Sequence, residues 1–396
     1  MMDTRSHSLR RLRILLLAGA AAMALMLSGC SSSDAKQGSD RPGGTSDAHG
    51  LTIDEMKAEI AKHTGMVSSY PAQKQVSGVE KLRGKTIWYV PVGATAPILN
   101  TFGDGIKAAF DKLGITFHMC DGEFLPTTMA SCLNEAASRG ADGVVTGYID
   151  YALIPNAFDN LVAQNIPVLI AGAQPSRGKT NSPELAFYDT TPTINVLQKL
   201  SSEAVIVDSG GKAKVLYIGV TDSPQTKAMA AYAKQFFADN CPDCRFTEID
   251  YNTASLKRLP SQVSSALISH PDTDYVVTSV DTGVPGALTG IQAAGFTNKV
   301  KISSANGDLA ALQRIKAGQV QFNDVGTSPV YFGWQFADGI IRMMVGQKPD
   351  EGPGIVRVFN KDNVGDLSLT PAAYATNQWY GQDTFENTFL SAWGVK

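Results

Sequence analysis

The chain alternates short apolar runs with amphipathic stretches from residue 85 onward. The first run, from Thr86 to Val92, is almost entirely apolar, which predicts a strand buried on both faces. A helical stretch follows from Pro97 to Leu113, and the alternation then repeats. Strands that alternate with helices predict parallel sheet covered by helices on both faces, so the fold class is α/β. Further strand-like runs fall near 115–120, 143–147, 167–171, 214–219, 245–250, 274–278, 300–305 and 320–326.

The length and grouping of these units predict two lobes. About 310 residues exceed what a single hydrophobic core supports. Four strand–helix units precede residue 185, and a similar set begins near residue 213. We therefore expect two doubly wound parallel-sheet lobes, with ligand groups at the carboxyl ends of the strands, where open α/β sheets bind ligands. Helix starts that pair an N-cap hydroxyl with proline follow predicted strands at 223–224 and 328–329.

The first thirty residues predict a secretory signal. Arginines precede an apolar run from Ile14 to Leu27, which ends in Leu27-Ser28-Gly29-Cys30. These four residues resemble a bacterial lipobox, which implies removal of residues 1–29 and attachment of diacylglycerol to the Cys30 thiol. Residues 30–50 are then a flexible tether, and the protein is extracytoplasmic, anchored to the cell membrane by its lipid. An ordinary signal peptide, or a signal anchor, with a coincidental cysteine is the alternative.

Charge and hydropathy exclude other partners. The formal net charge is −3, and no basic stripe is interleaved with aromatic residues, so we expect no nucleic-acid partner. After residue 30 no apolar run approaches the ~18 residues that a membrane span requires. Residues 52–63 predict a short amphipathic helix within an N-terminal extension over 51–84. Aromatic residues between 374 and 393 predict that the C-terminal tail packs against a lobe.

Four cysteines remain when Cys30 carries the lipid, and they form two local pairs. We predict a Cys241–Cys244 disulfide and, with less support from the pattern, a Cys120–Cys132 disulfide, because five cysteines fit an oxidising compartment. The C-x-x-C spacing of the first pair also occurs in zinc and redox sites. No second ligand pair lies nearby, however, and the motif follows a helix where a redox motif would begin one.

No motif predicts catalysis, a cofactor or a bound metal. Gly103-x-Gly105-x-x-Ala108 has the spacing of a dinucleotide-binding turn, but it falls inside a predicted helix. Gly178-Lys179-Thr180 lacks both the spacing and the following helix of a phosphate loop. The sequence contains neither H-E-x-x-H nor G-x-S-x-G. We expect a binding protein and not an enzyme; a carboxylate pair that meets only in the folded chain is the alternative.

The order of several short segments resembles that of periplasmic binding proteins of the ribose/galactose type, relatives of the LacI-type repressor core. The resemblance covers roughly residues 85–360 and implies two lobes joined by a three-segment hinge, near 188–191, 326–329 and 352–360. Lobe 1 is then 85–189 plus 328–354, and lobe 2 is 190–327 plus 355–396, with the C-terminal extension. The segments that carry it are Thr86-Ile87, Asp104-Gly105, Leu113-Gly114, Arg139 to Val145, Asn165 to Val168, His270 to Val277, Asp281 and Gly286 to Leu288.

The resemblance also implies a function. Proteins of this type close on a solute by hinge motion. They act as monomers and deliver the solute to the membrane permease of an ABC-type importer. Presentation of the ligand to a membrane receptor or sensor kinase is the alternative. Their sugar sites use Asp, Asn, Gln and Arg for hydroxyl groups and aromatic rings for C–H faces. Here Ile98-Leu99 replace an aromatic pair, and Gly172-Ala173 replace an Asp-Arg pair.

The polar residues that remain around the implied cleft have little net charge, which favours a small neutral sugar or polyol. Asp222 and Asp281 could equally cap helices, and Lys227 could lie on a solvated surface. We predict that the ligand-binding residues are Thr95, Ile98, Tyr148, Asp150, Gln174, Asp222, Gln225, Lys227, Asp281, Asn306 and Thr327.

Overall fold

The computed structural model describes residues 50–395. The predicted signal peptide, the lipidation site at Cys30 and nearly all of the tether lie outside the described residues. The strands of lobe 1 are β1 Thr86–Pro91, β2 Thr116–Met119, β3 Gly143–Gly147, β4 Val168–Ala171 and β5 Leu185–Tyr188. The strands of lobe 2 are β6 Lys214–Val220, β7 Arg245–Tyr251, β8 Tyr275–Thr278, β9 Lys301–Asn306, β10 Gln321–Thr327 and β11 Val356–Asn360.

Helices connect most of these strands. None of the helices in the described part of the chain is both long and apolar enough to cross a membrane. In chain order they are α1 Ile53–Lys62, α2 Pro97–Leu113, α3 Pro126–Ser138, α4 Pro155–Ala163, α5 Thr191–Asp208, α6 Pro224–Asn240, α7 Leu259–Ser269, α8 Val284–Ala293, α9 Leu309–Lys316, α10 Pro329–Met344, α11 Pro371–Tyr374 and α12 Phe385–Ala392.

Lobe 1 is a five-stranded sheet in the order β2-β1-β3-β4-β5, and every pairing is parallel. Alternate residues of a strand point to opposite faces. Ile87 and Tyr89 therefore join the core that includes α2 and α10, whereas Trp88 and Val90 join the core that includes α3 and α4. Burial on both faces explains why the strand sequences are continuously apolar.

Lobe 2 is a six-stranded sheet in the order β11-β10-β9-β8-β6-β7. Its pairings are parallel except for β10 with β11, which is antiparallel. Leu216 and Ile218 face α7 and α8, while Val215 and Tyr217 face the other side, where α6 covers them. The structure confirms the predicted α/β class with two parallel-sheet lobes.

Two strands depart from the predicted alternation. β5 follows β4 without an intervening helix, and β11 returns antiparallel at the edge of lobe 2. Both strands have only four or five residues, and neither belongs to a strand–helix unit. The periodicity that revealed the other strands therefore gave no signal for these two.

The chain passes between the lobes at three internal places. β5 ends at Tyr188 before α5 begins in lobe 2, and β10 ends at Thr327 before α10 begins in lobe 1. The third passage runs from the end of α10 at Met344 to the start of β11 at Val356. The first two places coincide with the segments 188–191 and 326–329 that the family resemblance implied, whereas the third begins before the implied segment 352–360.

A segment before β1 makes a fourth connection, which we call the N-terminal strap (residues 63–78). On lobe 2, the Arg357 side chain of β11 donates a hydrogen bond of 3.0 Å to the Thr64 carbonyl. On lobe 1, the Arg342 side chain of α10 donates one of 2.6 Å to the Lys74 carbonyl. The strap is thus fixed to both lobes.

A segment after α11 makes a fifth connection, the C-terminal strap (residues 375–384). Arg357 donates a 2.6 Å hydrogen bond to the Trp379 carbonyl, which fixes the strap to lobe 2. The fully buried Asn377 accepts a 2.6 Å hydrogen bond from the Ser328 hydroxyl, at the crossing between β10 and α10. The strap then leads into α12.

The two straps pair with each other. The Val67 N–H donates to the Tyr380 carbonyl over 2.8 Å, and Val67 forms a parallel bridge with Gly381. The Tyr70 hydroxyl donates to the Gln382 carbonyl over 2.6 Å. The hinge side of the molecule therefore carries a paired two-strand connection that the sequence did not predict.

The C-terminal helix lies on lobe 1, although we expected residues 355–396 to belong with lobe 2. Phe385 of α12 packs edge-on against Tyr331 of α10, and Trp393 stacks on Trp334 with ring centres 5.6 Å apart. The part of the tail before α12 contacts lobe 2, through Tyr374 and Trp379. Burial of the large Phe385 and Trp393 side chains in lobe 1 accounts for the difference.

The structure contains both predicted disulfides. Cys120, just after β2, is bonded to Cys132 in α3, with Cα atoms 5.8 Å apart. Cys241 is bonded to Cys244 in the turn between α6 and β7. The first bond ties a strand end to the helix that covers it, as the prediction required.

A buried ion pair in α10 anchors the N-terminal strap and the C-terminal helix α12 to lobe 1, so its loss will destabilise the fold. Asp338 accepts hydrogen bonds from Arg342 and from the Trp393 indole, and both charged side chains are at most 3% exposed. We expect Asp338→Ala to lower the free energy of unfolding by about 3–5 kcal/mol, because it leaves the Arg342 charge buried and unpaired. Chemical denaturation measures this loss.

The matched control is Lys107→Ala, which removes an exposed ion pair with Asp111 on α2. We expect that substitution to cost less than about 0.5 kcal/mol. An Asp338→Ala loss no larger than the loss of the control would contradict the anchoring role.

Candidate ligand-binding cleft

A cleft of about 690 Å³ lies between the two lobes at the carboxyl ends of their strands. Its size falls in the range of small-molecule pockets, about 300–1,000 Å³. Lobe 1 contributes the segments after β1 and β3, and lobe 2 contributes those after β6, β8 and β9. The first turn of α5 closes the cleft at the hinge side, where Thr190 and Thr193 line it.

The structure brings eight of the eleven predicted residues together at this cleft. They come from six separate segments, which parallel strands align at one edge of each sheet. The eight are Thr95, Ile98, Tyr148, Asp150, Asp222, Asp281, Asn306 and Thr327.

Three predicted residues do not line the cleft. Gln174 is exposed and donates hydrogen bonds to Asp189 and Thr191 beside the hinge. Gln225 is buried, and its amide donates to the Thr190 hydroxyl over 3.1 Å. Lys227 is exposed on α6, on the side that faces solvent.

Three residues that line the cleft have unusual backbone conformations, and Phe124 is one of them, with φ 56°. Tyr148 follows β3 with φ 61°, and Asn306 ends β9 with φ 127°. Non-glycine residues in this region are strained, and such strain clusters at functional sites. Tyr148 follows a strand of lobe 1 and Asn306 ends a strand of lobe 2, so both lobes present strained residues at the cleft.

Most polar side chains of the cleft already have partners within the protein. Asp150 accepts from the Ala152 N–H over 2.7 Å, and Asp222 accepts from the Thr253 N–H and hydroxyl. Thr327 donates to a backbone carbonyl. Asp222 thus joins two loops of lobe 2, a role the sequence could not separate from helix capping.

Aromatic rings enter the cleft from positions that the sequence analysis missed. Phe102 lies parallel to Tyr148 with ring centres 6.0 Å apart, and Phe332 meets Phe102 edge-on. Phe124 and Tyr251 line the cleft from opposite lobes. The sequence signal was available for Phe102, which lies one helical turn after Ile98 in α2.

Acidic side chains lie beneath the lobe 2 face of the cleft. The Ser304 hydroxyl lies between the Asp281 and Asp324 carboxyl groups. Burial raises the pKa of Asp281 well above its ordinary value and that of Asp324 to about 6, and repulsion from Asp324 raises the Asp281 pKa further. Asp281 also accepts the Asp308 N–H over 2.8 Å, so it shapes the loop after β9.

Asp308 and Arg314 continue this polar region, which we call the lobe 2 floor (Asp281, Ser304, Asn306, Asp308, Arg314 and Asp324). Burial and the nearby Asp281 charge raise the pKa of Asp308 to about 7, and the Tyr374 hydroxyl donates to Asp308 over 2.9 Å. Arg314 lines the cleft and donates through Nε to Gln321. Arg314 was not among the predicted ligand-binding residues.

The C-terminal strap supports the floor from below. Gly307 has φ 78°, and a β-carbon there would collide with the Tyr380 hydroxyl of the strap.

Within residues 50–395 no cluster of side chains has the composition of a metal site.

The raised pKa of Asp308 predicts a stability that depends on pH. The protonated side chain favours the folded state, so its stabilisation is complete below about pH 3.8 and is lost as the pH rises through about 7. We expect Asp308→Asn, which stays neutral and can still accept from Tyr374, to reduce the loss of unfolding free energy between about pH 5 and 8. Chemical denaturation at several pH values measures the free energy of unfolding of the variant and of the wild type.

The control is Asp366→Asn at an exposed position. Its free energy of unfolding should depend on pH in the same way as that of the wild-type protein. A profile for Asp308→Asn that coincides with the wild-type profile would show that Asp308 does not hold its proton in the folded state.

Comparison with known proteins assigns the chain to a family. A model described as a periplasmic binding protein domain matches residues 87–348. The chain is 23% identical over 203 residues to the ribose import binding protein of Escherichia coli K12, a stretch that covers 50% of this chain and 65% of that protein. The chain thus spans less than two thirds of that relative's length.

Solved structures share the fold at low sequence identity. A 5-methylthioribose transporter solute-binding protein from Thermotoga lettingae superposes with a TM-score of 0.66 and 14% identity, over 81% of this chain and 99% of that one. A solute-binding protein from Agrobacterium vitis, bound to α-D-tagatopyranose, superposes with a TM-score of 0.63 and 16% identity, over 72% of this chain and 97% of that one. The family match confirms the expectation of a binding protein and not an enzyme. Because the family model covers well over half of the sequence, this chain belongs to the periplasmic binding protein domain family.

Proposed function

We propose that the protein captures a small neutral sugar or polyol in the cleft and delivers it to the membrane permease of an ABC-type importer. The observation that carries the proposal is the cleft itself, because residues from the strand ends of both lobes line it. A ligand bound there contacts both lobes at once, and such contacts favour the closed arrangement over the open one.

The electrostatics of the cleft support a neutral ligand. Asp150 and Asp222 are held by hydrogen bonds within their own lobes. Burial favours the neutral form of the acids in the lobe 2 floor. The side-chain amide of Asn306 lines the cleft and makes no hydrogen bond to any residue between 50 and 395. A hydroxyl group can both donate to and accept from such an amide.

Similar proteins support the ligand class. The Escherichia coli relative is named for ribose import. Solved structures of the same fold hold α-D-tagatopyranose, allitol and D-arabinose, and two of these three proteins come from Agrobacterium vitis. Most of the predicted contact residues here differ from those of the ribose/galactose type. The individual ligand is therefore to be found by experiment.

We propose in addition that Cys30 carries a lipid. The Leu27-Ser28-Gly29-Cys30 sequence supports the modification, and two acyl chains on one cysteine give stable membrane anchoring. Anchoring would hold the binding domain close to the permease.

Mass spectrometry of the small molecule that co-purifies with the protein tests the function. A thermal-shift panel of free sugars and polyols follows, with analysis of each compound after incubation. We expect saturable stabilisation and unchanged compound. A reaction product in the incubation would contradict a binding function.

Asn306→Gly tests the contribution of the amide, because glycine adopts φ 127° without strain. We expect binding of the stabilising compound to weaken about three- to tenfold, the loss of one net hydrogen bond. The matched control is Asn298→Gly in an exposed turn, which should bind as the wild type does. Equal affinities for the two variants would remove Asn306 from the site.

A further inference from the structure

We propose that the captured solute carries an apolar substituent on its hydroxyl-bearing part, and that this substituent lies against lobe 1. The inference rests on the proposed function, which it narrows to a substituted sugar or polyol. Its basis is the uneven distribution of polar groups between the two sides of the cleft.

The lobe 1 side of the cleft, with the first turn of α10, is apolar, and we call it the lobe 1 wall. The residues belong to four segments, three that follow strands of lobe 1 and the first turn of α10, and several of them are buried. The lobe 1 wall consists of Val92, Ala96, Pro97, Ile98, Leu99, Phe102, Phe124, Ala152, Leu153 and Phe332.

The polar residues among these segments offer little to a ligand. The Tyr148 hydroxyl lies 3.3 Å from the Thr190 hydroxyl, and the two share a hydrogen bond. Asp150 accepts from both the Ala152 N–H and the Ser176 hydroxyl through Oδ1, so only its Oδ2 atom remains for a ligand. Thr95 is exposed, at the mouth of the cleft. The side chains of the lobe 1 wall itself are apolar and provide van der Waals contact.

Free hydrogen-bonding capacity lies instead in the lobe 2 floor. Within the described chain, the Asn306 amide has no protein partner, and Arg314 uses only its Nε atom, toward Gln321. Asp308 receives the Tyr374 hydroxyl at one oxygen, which leaves the other for a ligand. These three side chains line the same side of the cleft.

A free sugar is poorly matched to this arrangement. Its hydroxyl groups surround the ring, so closure would press some of them against the lobe 1 wall. Polar groups that lose water without gaining a partner oppose binding. A solute with hydroxyl groups on one side and hydrocarbon on the other satisfies both surfaces, because burial of hydrocarbon favours binding.

A matched series of ligands tests this inference by isothermal titration calorimetry. The probes are D-ribose, L-arabinose, D-glucose and D-galactose, each free and as its methyl, butyl and phenyl β-glycoside. For at least one sugar, we expect affinity to rise about fourfold for each methylene added, the equivalent of about 0.8 kcal/mol per buried methylene.

The outcomes separate the two proposals. Free sugars that bind as tightly as their butyl and phenyl glycosides, or more tightly, would overturn the apolar substituent and leave sugar capture standing. The absence of saturable binding by every member of the series would overturn sugar capture, and the present inference with it.

Leu153→Ser provides a test within the protein, because Leu153 is 44% exposed and its replacement leaves the core intact. We expect butyl glycoside binding to weaken about three- to tenfold, and to weaken more than binding of the free sugar does, because the free sugar has no hydrocarbon to bury against Leu153. The matched control is Ile268→Ser on α7, at an exposed position outside the cleft, which should alter neither affinity. An equal loss for free and substituted sugar, or no loss for either, would overturn the contact.

Discussion

Parallel strand pairing is the constraint on which the rest of this structure depends. In both sheets it places every strand-to-helix loop at the carboxyl edge, apart from the one antiparallel strand β11. Each passage between the lobes leaves one lobe at the end of a strand or helix and enters the other lobe. The carboxyl edges of the two sheets therefore face each other across one gap. Residues as distant in sequence as Thr95 and Thr327 line that gap together. The two residues lie far apart in the sequence, and only the order of strands in the sheets brings their side chains into one site.

The two straps distinguish this molecule from a pair of lobes joined only by three crossings. Both run from lobe 2 to lobe 1, and they pair through Val67 and Tyr380. Asn377 connects them to the crossing at Ser328 and also donates to the Tyr70 hydroxyl. Any rotation of one lobe against the other must therefore bend or slide the straps. The C-terminal strap also underlies the lobe 2 floor, so the straps, the hinge and the site form one connected structure.

Much of the fold follows from sequence, because two-sided burial makes a strand continuously apolar over its whole length. The run from Thr86 to Val92 and the parallel sheets of both lobes were predicted on that ground. β5 and β11 were missed, since a short strand without its own helix has no periodic signature. The straps were missed for a different reason: the hydrogen bonds that pair them join groups about 300 residues apart, as between the Tyr70 hydroxyl and the Gln382 carbonyl, which are 312 positions apart in the sequence.

The site is predictable only in part. A family position or a strand end identified Tyr148 and Asn306, and both line the cleft. The same reasoning proposed Lys227, but a residue three positions into a helix can face either the cleft or solvent, and here it faces solvent. Phe124 and Arg314 came from loops and helix faces whose direction depends on tertiary packing. The division into an apolar wall and a polar floor became visible only once the two lobes were placed together.

The central claim is that the two lobes close on a bound solute. Small-angle X-ray scattering of the protein, free and saturated with a compound that the binding series identifies, tests it most directly. The account predicts a smaller radius of gyration in the saturated protein, because hinge closure brings the lobes together. An unchanged radius of gyration at full occupancy would contradict it.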